Sequence, residues 1–426
     1  TRLGIDKAIS IRALKRFVAD HEIQRGERKK IVKPNPITHE EKIAIIGAGL
    51  TGLSAAHDLR KEGYPVTIFE SQPFPGGMLK IAVPDYKISS KVVDYEIKII
   101  ERDVGVEIKT NVTIGKDLTI QDLKKQGVKA ILIAIGAHKP IDPKLVGSEG
   151  EGYIQAIDFL KRVKTGNRKK PGDLVAVIGC DHTAVDAART AKRLGSKVTI
   201  IYPRTSDQLP IEEDILKEIE AEHIKFQFLA LPKEIIRRKD GSIRGVKCWQ
   251  TQLQEPDHTG RIRSLPIEGS ELLISATTVM ISMGRTTDLS LWSSPLPTSG
   301  LGTVVVDPIT LETGEEGIFA AGEAVTGPAT IIEAIAAGQK AAASIQRYLR
   351  GEEFNEPYKL FKPRMRIAPA EVGEEIETFQ RPDEQVRSPE ERLFDFDEVR
   401  LGLSEKLAVC EAKRCLRCDY EEEEGK

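Results

Sequence analysis

Short apolar runs that end in glycine recur along the chain, and the clearest of them occurs twice. Residues 43–47 (Ile-Ala-Ile-Ile-Gly) match residues 175–179 (Val-Ala-Val-Ile-Gly), and residues 66–68 match residues 198–200 (Val-Thr-Ile in both) at the same offset. Each copy predicts a buried strand, a glycine turn, an amphipathic helix and a second strand. This order is typical of a βαβ unit in a parallel sheet, so the repeat predicts two nucleotide-binding domains of similar build.

Further apolar runs divide the rest of the chain. The run at 130–136 would end the segment of the first βαβ unit, and the run at 278–284 would end the segment of the second. The run at 317–322 precedes a long Ala-rich helix. We expect an α/β fold with two Rossmann-like dinucleotide-binding domains and with helical N-terminal and extended C-terminal arms.

The predicted boundaries give five parts. They are an N-terminal helical segment with its linker (1–40), the segment of the first βαβ unit (41–150), the segment of the second (151–288), the segment with the late strand and the Ala-rich helix (289–350), and a C-terminal arm (351–426).

The first glycine turn has the fingerprint of a dinucleotide site. Gly47 permits the tight turn, Gly49 lets the backbone approach a pyrophosphate, and Gly52 lets the helix pack closely on the strand. The N-terminus of the following helix supplies N–H groups and positive partial charge for phosphates. Glu70, at the end of the second strand, would accept hydrogen bonds from the hydroxyls of an adenosine ribose.

Two more glycine positions indicate that the ligand at this turn is long. Gly77 follows Glu70 closely and would let the backbone pass a second stretch of cofactor. Gly322 and Glu323 end a late strand just before the Ala-rich helix. A single ligand that touches all these positions must be extended, which favours FAD over a nicotinamide cofactor.

Charge and cysteine content exclude several classes of function. Lys and Arg total 63 against 65 Asp and Glu, so a net charge of −2 gives no basic field for nucleic acid. No apolar run approaches the ~18 residues that a membrane span needs. Five cysteines in 426 residues fit a reducing compartment and no signal-peptide pattern is present, so the expected location is the cytoplasm.

Together these motifs resemble the glutamate synthase small-subunit family of NAD(P)H-dependent flavoproteins. The resemblance runs through residues 10–17, 47–53, 69–70, 75–79, 84–86, 134–137, 322–330 and 411–418. It implies FAD in the first domain, NAD(P)H in the second, and electrons that leave through iron–sulfur clusters. It also implies that the second domain is inserted into the first, which then consists of residues 41–150 and 289–350. The residues that it places beside FAD are Gly47, Gly49, Gly52, Glu70, Gly77, Met78, Gly136, Gly322 and Glu323. The family usually has Asp at position 323, and we expect the longer Glu to bind with adjusted geometry.

The second glycine turn departs from this pattern at its centre. Gly179 is present, Thr183 and Ala184 fit the start of the helix, but Asp181 replaces the middle glycine. A carboxylate there repels a diphosphate, and its Cβ blocks close approach. Arg204, after the next strand, suits the 2′-phosphate of NADP. Two interpretations stay open: a site for NADP(H) or NAD(H), with NADP favoured, and a relic that does not bind.

Four other residues near the turns have ordinary structural explanations. Cys180 and Cys248 are expected to be small buried residues, and His182 is expected on the surface. His138 follows the strand that closes the first part of the first domain, near where flavin would lie, so a functional role is the alternative for it.

Three of the five cysteines lie within nine residues of one another. The C-x4-C-x2-C spacing of Cys410, Cys415 and Cys418 can supply three thiolates to an iron–sulfur cluster, with a fourth ligand from a partner. Zinc fits the same spacing, and free thiols or a redox dithiol are further alternatives.

These features predict an FAD-dependent electron-transfer subunit that passes electrons between NAD(P)H and the iron–sulfur centres of partner subunits in a larger oxidoreductase complex. The alternatives are a relay flavoprotein with a degenerate nicotinamide site, a soluble dithiol reductase, and a non-catalytic structural subunit of the same complex.

Overall fold

The computed structural model describes residues 6–26, 34–255, 262–292, 296–352 and 380–415. The α-helices of this part are α1 (Ile11–Arg25), α2 (Leu50–Lys61), α3 (Met78–Ile81), α4 (Ser90–Lys98), α5 (Ile120–Lys125), α6 (Ala156–Lys164), α7 (His182–Arg193), α8 (Glu213–Ala221), α9 (Glu323–Thr326), α10 (Ile331–Leu349), α11 (Pro389–Arg392) and α12 (Glu405–Lys413). A π-helix (Ile99–Val104) continues α4, and a 3-10 helix (Ser206–Gln208) precedes α8. The strands are β1 (Lys42–Ile46), β2 (Val66–Phe69), β3 (Glu107–Lys109), β4 (Val128–Ile133), β5 (Lys139–Pro140), β6 (Tyr153–Gln155), β7 (Leu174–Ile178), β8 (Lys197–Ile201), β9 (Lys225–Gln227), β10 (Ala230–Arg237), β11 (Ile243–Leu253), β12 (Ser264–Ser275), β13 (Thr278–Ile281), β14 (Arg285–Thr286), β15 (Ile318–Ala320), β16 (Gln385–Val386) and β17 (Arg400–Gly402).

The first sheet is parallel and has the strand order β15-β4-β1-β2-β3. β1 lies at its centre, where Ile43 pairs with Val66 of β2 and with Ala130 of β4. Ile43 packs against α2 and α10 on one face, whereas Ile46 packs with Leu123 of α5 on the other. Because helices cover both faces, β1 is apolar at nearly every position rather than at every second one.

The second sheet repeats this build with the strand order β6-β13-β7-β8-β9. It is also parallel, and Val175 of β7 pairs with Val198 of β8 and with Thr278 of β13. All of its strands lie in sequence between β4 and β15 of the first sheet. The prediction of two Rossmann-like domains, the second inserted into the first, is therefore confirmed.

A third sheet, which the sequence analysis did not predict, joins the antiparallel strands β10, β11 and β12. It packs on the second parallel sheet, where Ile235 and Val246 share an apolar core with Ala176 and Ile178. Much of β12 is exposed, and its polar and apolar residues do not form the buried run that marks a parallel strand. This composition explains why the apolar pattern did not reveal it.

A short antiparallel ribbon joins the two parallel domains. β5 follows the first part of the first domain, β14 follows the second domain, and Arg285 of β14 pairs with Pro140 of β5. The ribbon therefore lies where the chain leaves the first domain and where it returns to it.

The chain divides into two units, and both parallel sheets and α11 belong to the larger one. The smaller unit contains α1, α12 and the β16–β17 pair. Inside it, the buried Glu411 of α12 accepts a 2.6 Å hydrogen bond from the Ser10 N–H and a 2.7 Å bond from Arg414. Within the described ranges, every helix is too short or too polar to cross a bilayer.

Candidate functional sites at the two glycine turns

The first glycine turn connects β1 to α2 and is fixed by close backbone contacts. Gly47 has a φ of 104°, a conformation that strains residues with a side chain. A Cβ at Gly47 would also lie 2.5 Å from the carbonyl oxygen of Ala134, just after β4. Gly52 packs directly on the carbonyl oxygen of Gly47 and leaves no room for a Cβ. These two glycines are needed to build the turn.

Gly49 differs from both of them because its conformation does not require glycine. Its φ of −78° and ψ of −177° suit any residue, and a Cβ there would meet no described atom within 4 Å. Gly49 is the N-cap of α2, and a helix leaves its first N–H groups without intrahelical partners. Glycine has no side chain that could accept from them. The open space in front of α2 therefore fits a pyrophosphate.

Glu70 follows β2 and is held against this turn. Its Oε2 accepts a 2.8 Å hydrogen bond from the Ala48 N–H, and its Oε1 accepts one of 2.8 Å from the Gln72 N–H. The side chain is buried, and these bonds fix it at the carboxyl edge of the sheet. The Ser71 hydroxyl also donates to Oε1, at 3.3 Å. A carboxylate oxygen has two lone pairs, so the second lone pair of Oε2 can still accept from a ribose hydroxyl.

The loop before α3 lies against the first turn. The Gly76 N–H donates to the Ala48 carbonyl oxygen at 2.8 Å, and a Cβ at Gly77 would lie 2.8 Å from the Cα of Gly49. Met78, the first residue of α3, is partly buried and packs against the core of the second domain. The structure thus brings Gly49 and Gly77 together, whereas Met78 makes a contact between the domains.

Gly322 and Glu323 follow β15 and lie at the same end of the first sheet. Gly322 packs against Thr51 of α2, and Glu323 begins α9. The Glu323 Oε1 accepts a 3.0 Å hydrogen bond from the Ala329 N–H and lies 3.6 Å from a guanidinium nitrogen of Arg285 on the ribbon. One carboxylate oxygen is therefore held by the protein itself.

The other oxygen of Glu323 faces Gly136, whose Cβ position is 3.8 Å from Oε2. The His138 ring is also here, with Nε2 3.2 Å from the same position. Burial, with the positive charges of Lys161 and Arg285, lowers the pKa of His138 to about 4. The imidazole is therefore neutral at neutral pH.

The second glycine turn has the same backbone conformation as the first but a different middle residue. Gly179 has a φ of 114° and packs on the carbonyl oxygen of Ser282 after β13, as Gly47 packs on Ala134. Asp181 is the N-cap of α7, and its Oδ1 accepts a 2.7 Å hydrogen bond from the Ala184 N–H. The Ser282 hydroxyl donates to the same oxygen at 2.7 Å. The carboxylate is thus turned onto the helix N-terminus.

The remaining residues of the second site surround this cap. Thr183 is partly buried in the first turn of α7, Ala184 is fully buried, and His182 is exposed. Arg204 lies after β8, beside the Tyr202 hydroxyl. Burial raises the pKa of Tyr202, although the positive charge of Arg204 opposes the shift.

The cysteines fall into two groups. Cys180 and Cys248 are buried, and burial raises the pKa of each thiol to about 12, with the negative charge of Asp181 adding to the shift at Cys180. These two are structural, as expected. Cys410 and Cys415 are exposed in the smaller unit, and Cys418 lies outside the described residues. The described residues contain no group of three metal ligands.

Sequence reasoning missed a buried contact between the two domains. The Tyr86 hydroxyl donates to the Asp186 carbonyl oxygen of α7 at 3.1 Å, and the Arg193 guanidinium lies 4.1 Å from the ring centre. Lys87 pairs with the Asp186 carboxylate at 3.1 Å. The charged residues on the buried side of α7 were the signal that could have indicated this contact, because charged side chains are rarely buried without partners.

Arginines of α7 and α11 surround one carboxylate nearby. Glu222, at the end of α8, is fully buried and accepts hydrogen bonds of 2.6 Å from Arg189 and 3.0 Å from Arg193. Arg392 approaches it to 3.3 Å. Burial would raise the pKa of Glu222, but the bonds from Arg189 and Arg193 outweigh burial and hold it below its usual value.

Comparison with known proteins places this geometry in a family. The pyridine nucleotide-disulphide oxidoreductase family matches residues 41–338. The NADP(+)-dependent formate dehydrogenase subunit beta of Moorella thermoacetica is 35% identical over 98% of this chain, which spans 62% of that protein's length. The glutamate synthase (NADPH) small chain of Azospirillum brasilense is 31% identical over 81% of this chain and 74% of its own length.

A solved structure agrees with the fold. FprA of Mycobacterium tuberculosis in complex with NADPH has a TM-score of 0.64 and 18% identity, over 74% of this chain and 85% of its own. The resemblance to the glutamate synthase small chains is confirmed by the sequence match. The chain belongs to the pyridine nucleotide-disulphide oxidoreductase family.

Proposed function

We propose that this chain is an FAD-dependent electron-transfer subunit that passes electrons between NAD(P)H and the iron–sulfur centres of partner subunits in a larger oxidoreductase of the cytoplasm. The observation that carries this proposal is the first turn, where Gly49 leaves the N-terminus of α2 open and Glu70 is fixed beside it. The relatives named for formate dehydrogenase and glutamate synthase support the same assignment.

In this proposal the first domain holds FAD along one edge of its sheet. The N–H groups at the start of α2 bind the pyrophosphate, and Glu70 binds the adenosine ribose. Gly77 and Gly136 let the backbone approach the ligand, and Glu323 uses its free Oε2. FAD, when bound, supplies the exchange between two-electron and one-electron transfer.

The second domain would take the nicotinamide nucleotide, with NADP preferred. Arg204 supplies the positive charge that a 2′-phosphate needs, and no carboxylate follows β8 directly to favour the free hydroxyl of NAD. Gly179, Thr183 and Ala184 keep the turn and the helix start that a pyrophosphate requires. The names of both relatives also include an NADP nucleotide.

The cysteine segment of the smaller unit would face the partner. Cys410 and Cys415 are exposed, so their thiolates are available to a cluster that also takes Cys418 and a fourth ligand from the partner. Iron and sulfide content, measured on the complex, should fall when Cys415 is replaced by Ser. Unchanged content would remove the cluster from the proposal.

A second candidate is a relay flavoprotein that exchanges electrons only with its partners. The hydrogen bond from the Ala184 N–H to Asp181 favours it, because the second helix N-terminus already carries an anion.

An anaerobic titration of the FAD-loaded chain, followed by flavin absorbance, separates these functions. We expect NADPH to reduce the flavin at lower concentration than NADH does, and Arg204→Gln to remove that preference. A flavin that dithionite reduces but neither NADPH nor NADH reduces would establish the relay function. A chain that does not retain FAD would contradict both.

A further inference from the structure

The N-cap of α7 is occupied by the chain's own carboxylate. The Asp181 Oδ1 accepts 2.7 Å hydrogen bonds from the Ala184 N–H and from the Ser282 hydroxyl. At the corresponding N-cap of α2, Gly49 has no side chain and the space in front of it is open. The two turns therefore differ in whether the helix N-terminus is free.

A pyrophosphate at such a turn needs the same groups that Asp181 uses. A bound diphosphate accepts from the first N–H groups of the helix and gains from the positive end of the helix dipole. With Asp181 in place, the Ala184 N–H is already paired, and a second anion would lie close to the carboxylate. Both effects oppose binding of the diphosphate.

We propose that Asp181 is an internal competitor for the pyrophosphate of a nicotinamide dinucleotide. The Ser282 hydroxyl, from the strand end next to the turn, holds the competitor in place. This inference rests on the proposed function, since it concerns the affinity of the second domain for its nucleotide. A dinucleotide binds only when the carboxylate leaves the cap, so its affinity is lower than the fold would otherwise give.

The rest of the turn allows a clean test. Asp181 has a φ of −76° and a ψ of 171°, which glycine adopts freely. Replacing an Asp N-cap by Gly destabilises a helix only slightly. Gly179 keeps its contact with the Ser282 carbonyl oxygen, which does not depend on the side chain at 181. Asp181→Gly should therefore fold as the wild type does.

The test compares NADP⁺ binding by calorimetry to the FAD-loaded wild type and to three variants. We expect Asp181→Gly to bind NADP⁺ at least tenfold more tightly and Asp181→Asn, which keeps the size but not the charge, to lie between. Ser282→Ala removes one of the two hydrogen bonds that hold the carboxylate and leaves the bond from the Ala184 N–H, so the affinity should rise by about fivefold at most, which corresponds to the net value of one hydrogen bond. Nicotinamide mononucleotide, which lacks the pyrophosphate, should bind all four proteins equally.

Two results would overturn the proposal. One is an Asp181→Gly variant that binds NADP⁺ no better than the wild type, including the case in which neither binds. The other is an equal gain for nicotinamide mononucleotide, because this gain would not depend on the pyrophosphate. Flavin content and reduction by dithionite, measured on the same samples, report on the proposed function separately. A chain without flavin whose Asp181→Gly variant still gains NADP⁺ would contradict that function and support the competitor.

Discussion

The two glycine turns of this chain share one backbone conformation but differ in their middle residue. Gly47 and Gly179 both adopt a positive φ and both pack on the carbonyl of a residue that follows a neighbouring strand. In the middle position, however, Gly49 leaves the helix N-terminus open, whereas Asp181 closes it with a hydrogen bond. The first glycine therefore serves the fold, and the middle residue determines whether the helix N-terminus is open or already paired.

The helices that follow the turns differ in the residues on their buried sides. The buried side of α2 is mainly apolar, with Leu53 and Leu59 in the core, and it packs against α10. The buried side of α7 carries Asp186, Arg189 and Arg193, which are paired with charged groups of neighbouring segments. The second domain thus keeps the repeated fold but uses buried ion pairs where the first uses apolar contacts.

The largest expected effect comes from replacing Gly49, the middle residue of the first turn, with Asp, the residue at the corresponding position of the second turn. Gly49→Asp has space for its side chain, and its carboxylate would cap α2 as Asp181 caps α7. We expect a folded protein whose FAD affinity is lower by about a thousandfold, or about 4 kcal/mol. Flavin content per chain and FAD titration of the apoprotein measure this loss.

Gly49→Ala is the matched control, because it adds a Cβ without a charge. Its loss of FAD affinity should be much smaller than that of Gly49→Asp. If Gly49→Asp keeps its flavin, the middle residue does not decide anion binding, and the comparison between the turns fails.

The second expected effect tests the ion pairs of the second domain. Glu222→Gln removes the anion that the buried Arg189 and Arg193 share, although Arg189 keeps its 2.8 Å ion pair with Glu218. Breaking a buried pair of this kind costs about 3 kcal/mol. Denaturant unfolding of the wild type and the variant measures the loss. Glu220→Gln on the exposed side of α8 is the control and should change stability by less than about 0.5 kcal/mol.

The pH dependence of this loss follows from the pKa of Glu222. The folded protein holds that pKa below its usual value, so the carboxylate stabilises the fold above the unfolded pKa of about 4.3. The contribution is lost as pH falls through the folded pKa. The difference between wild type and Glu222→Gln should therefore be full at neutral pH and shrink in acid. A difference that grows in acid would contradict this role.

The sequence predicted what is encoded locally. Each βαβ unit was visible because strands covered on both faces are continuous apolar runs, and the repeat placed Gly179 and Asp181 opposite Gly47 and Gly49. The insertion of the second domain was implied by the family resemblance and not by the apolar pattern. The Asp181 cap was also within reach, because Asp is a preferred N-cap residue and stands directly before α7.

Contacts between distant segments were out of reach. Nothing in the local pattern around Glu222 indicates that Arg392 approaches it from the C-terminal arm, 170 residues later in the sequence. The ion pair between Arg285 of the ribbon and Glu323 is of the same kind. Such pairs depend on tertiary packing, which periodicity does not encode.

A smaller effect on stability is expected from the titration of His138, which follows β4 near the first turn. His138 has a folded pKa of about 4 because of burial and the charges of Lys161 and Arg285, against about 6.5 when unfolded. As pH falls from 6.5 toward 4, the unfolded chain takes up a proton that the folded one does not, so stability is lost. By pH 5 the loss reaches about 2 kcal/mol relative to neutral pH.

His138→Gln should remove this part of the acid loss, and unfolding at pH 7 and pH 5 measures it. The corresponding residue after β13 is Thr286, which does not titrate, so the second turn has no counterpart to this effect. Equal acid losses in wild type and His138→Gln would mean that the imidazole is protonated in the folded state.

The smallest expected effect concerns the ion pair between Arg285 and Glu323. The guanidinium lies 3.6 Å from the Glu323 Oε1, and both side chains are largely buried. Arg285→Gln leaves the carboxylate with its bond from the Ala329 N–H but without a neighbouring cation. The charge of the Glu323 carboxylate is then no longer offset beside the FAD site. This negative charge should weaken FAD binding about fivefold, or about 1 kcal/mol, and lower the flavin midpoint potential.

Arg285→Lys keeps the positive charge and should preserve the potential, so the two variants separate charge from the geometry of the guanidinium. The second turn offers the contrast, because there the carboxylate of Asp181 is held by the Ser282 hydroxyl and a backbone N–H rather than by an arginine. An unchanged potential in Arg285→Gln would show that the carboxylate at the first site, like that of Asp181, is held well enough by neutral hydrogen-bond donors. The difference between the turns would then lie in their middle residues alone.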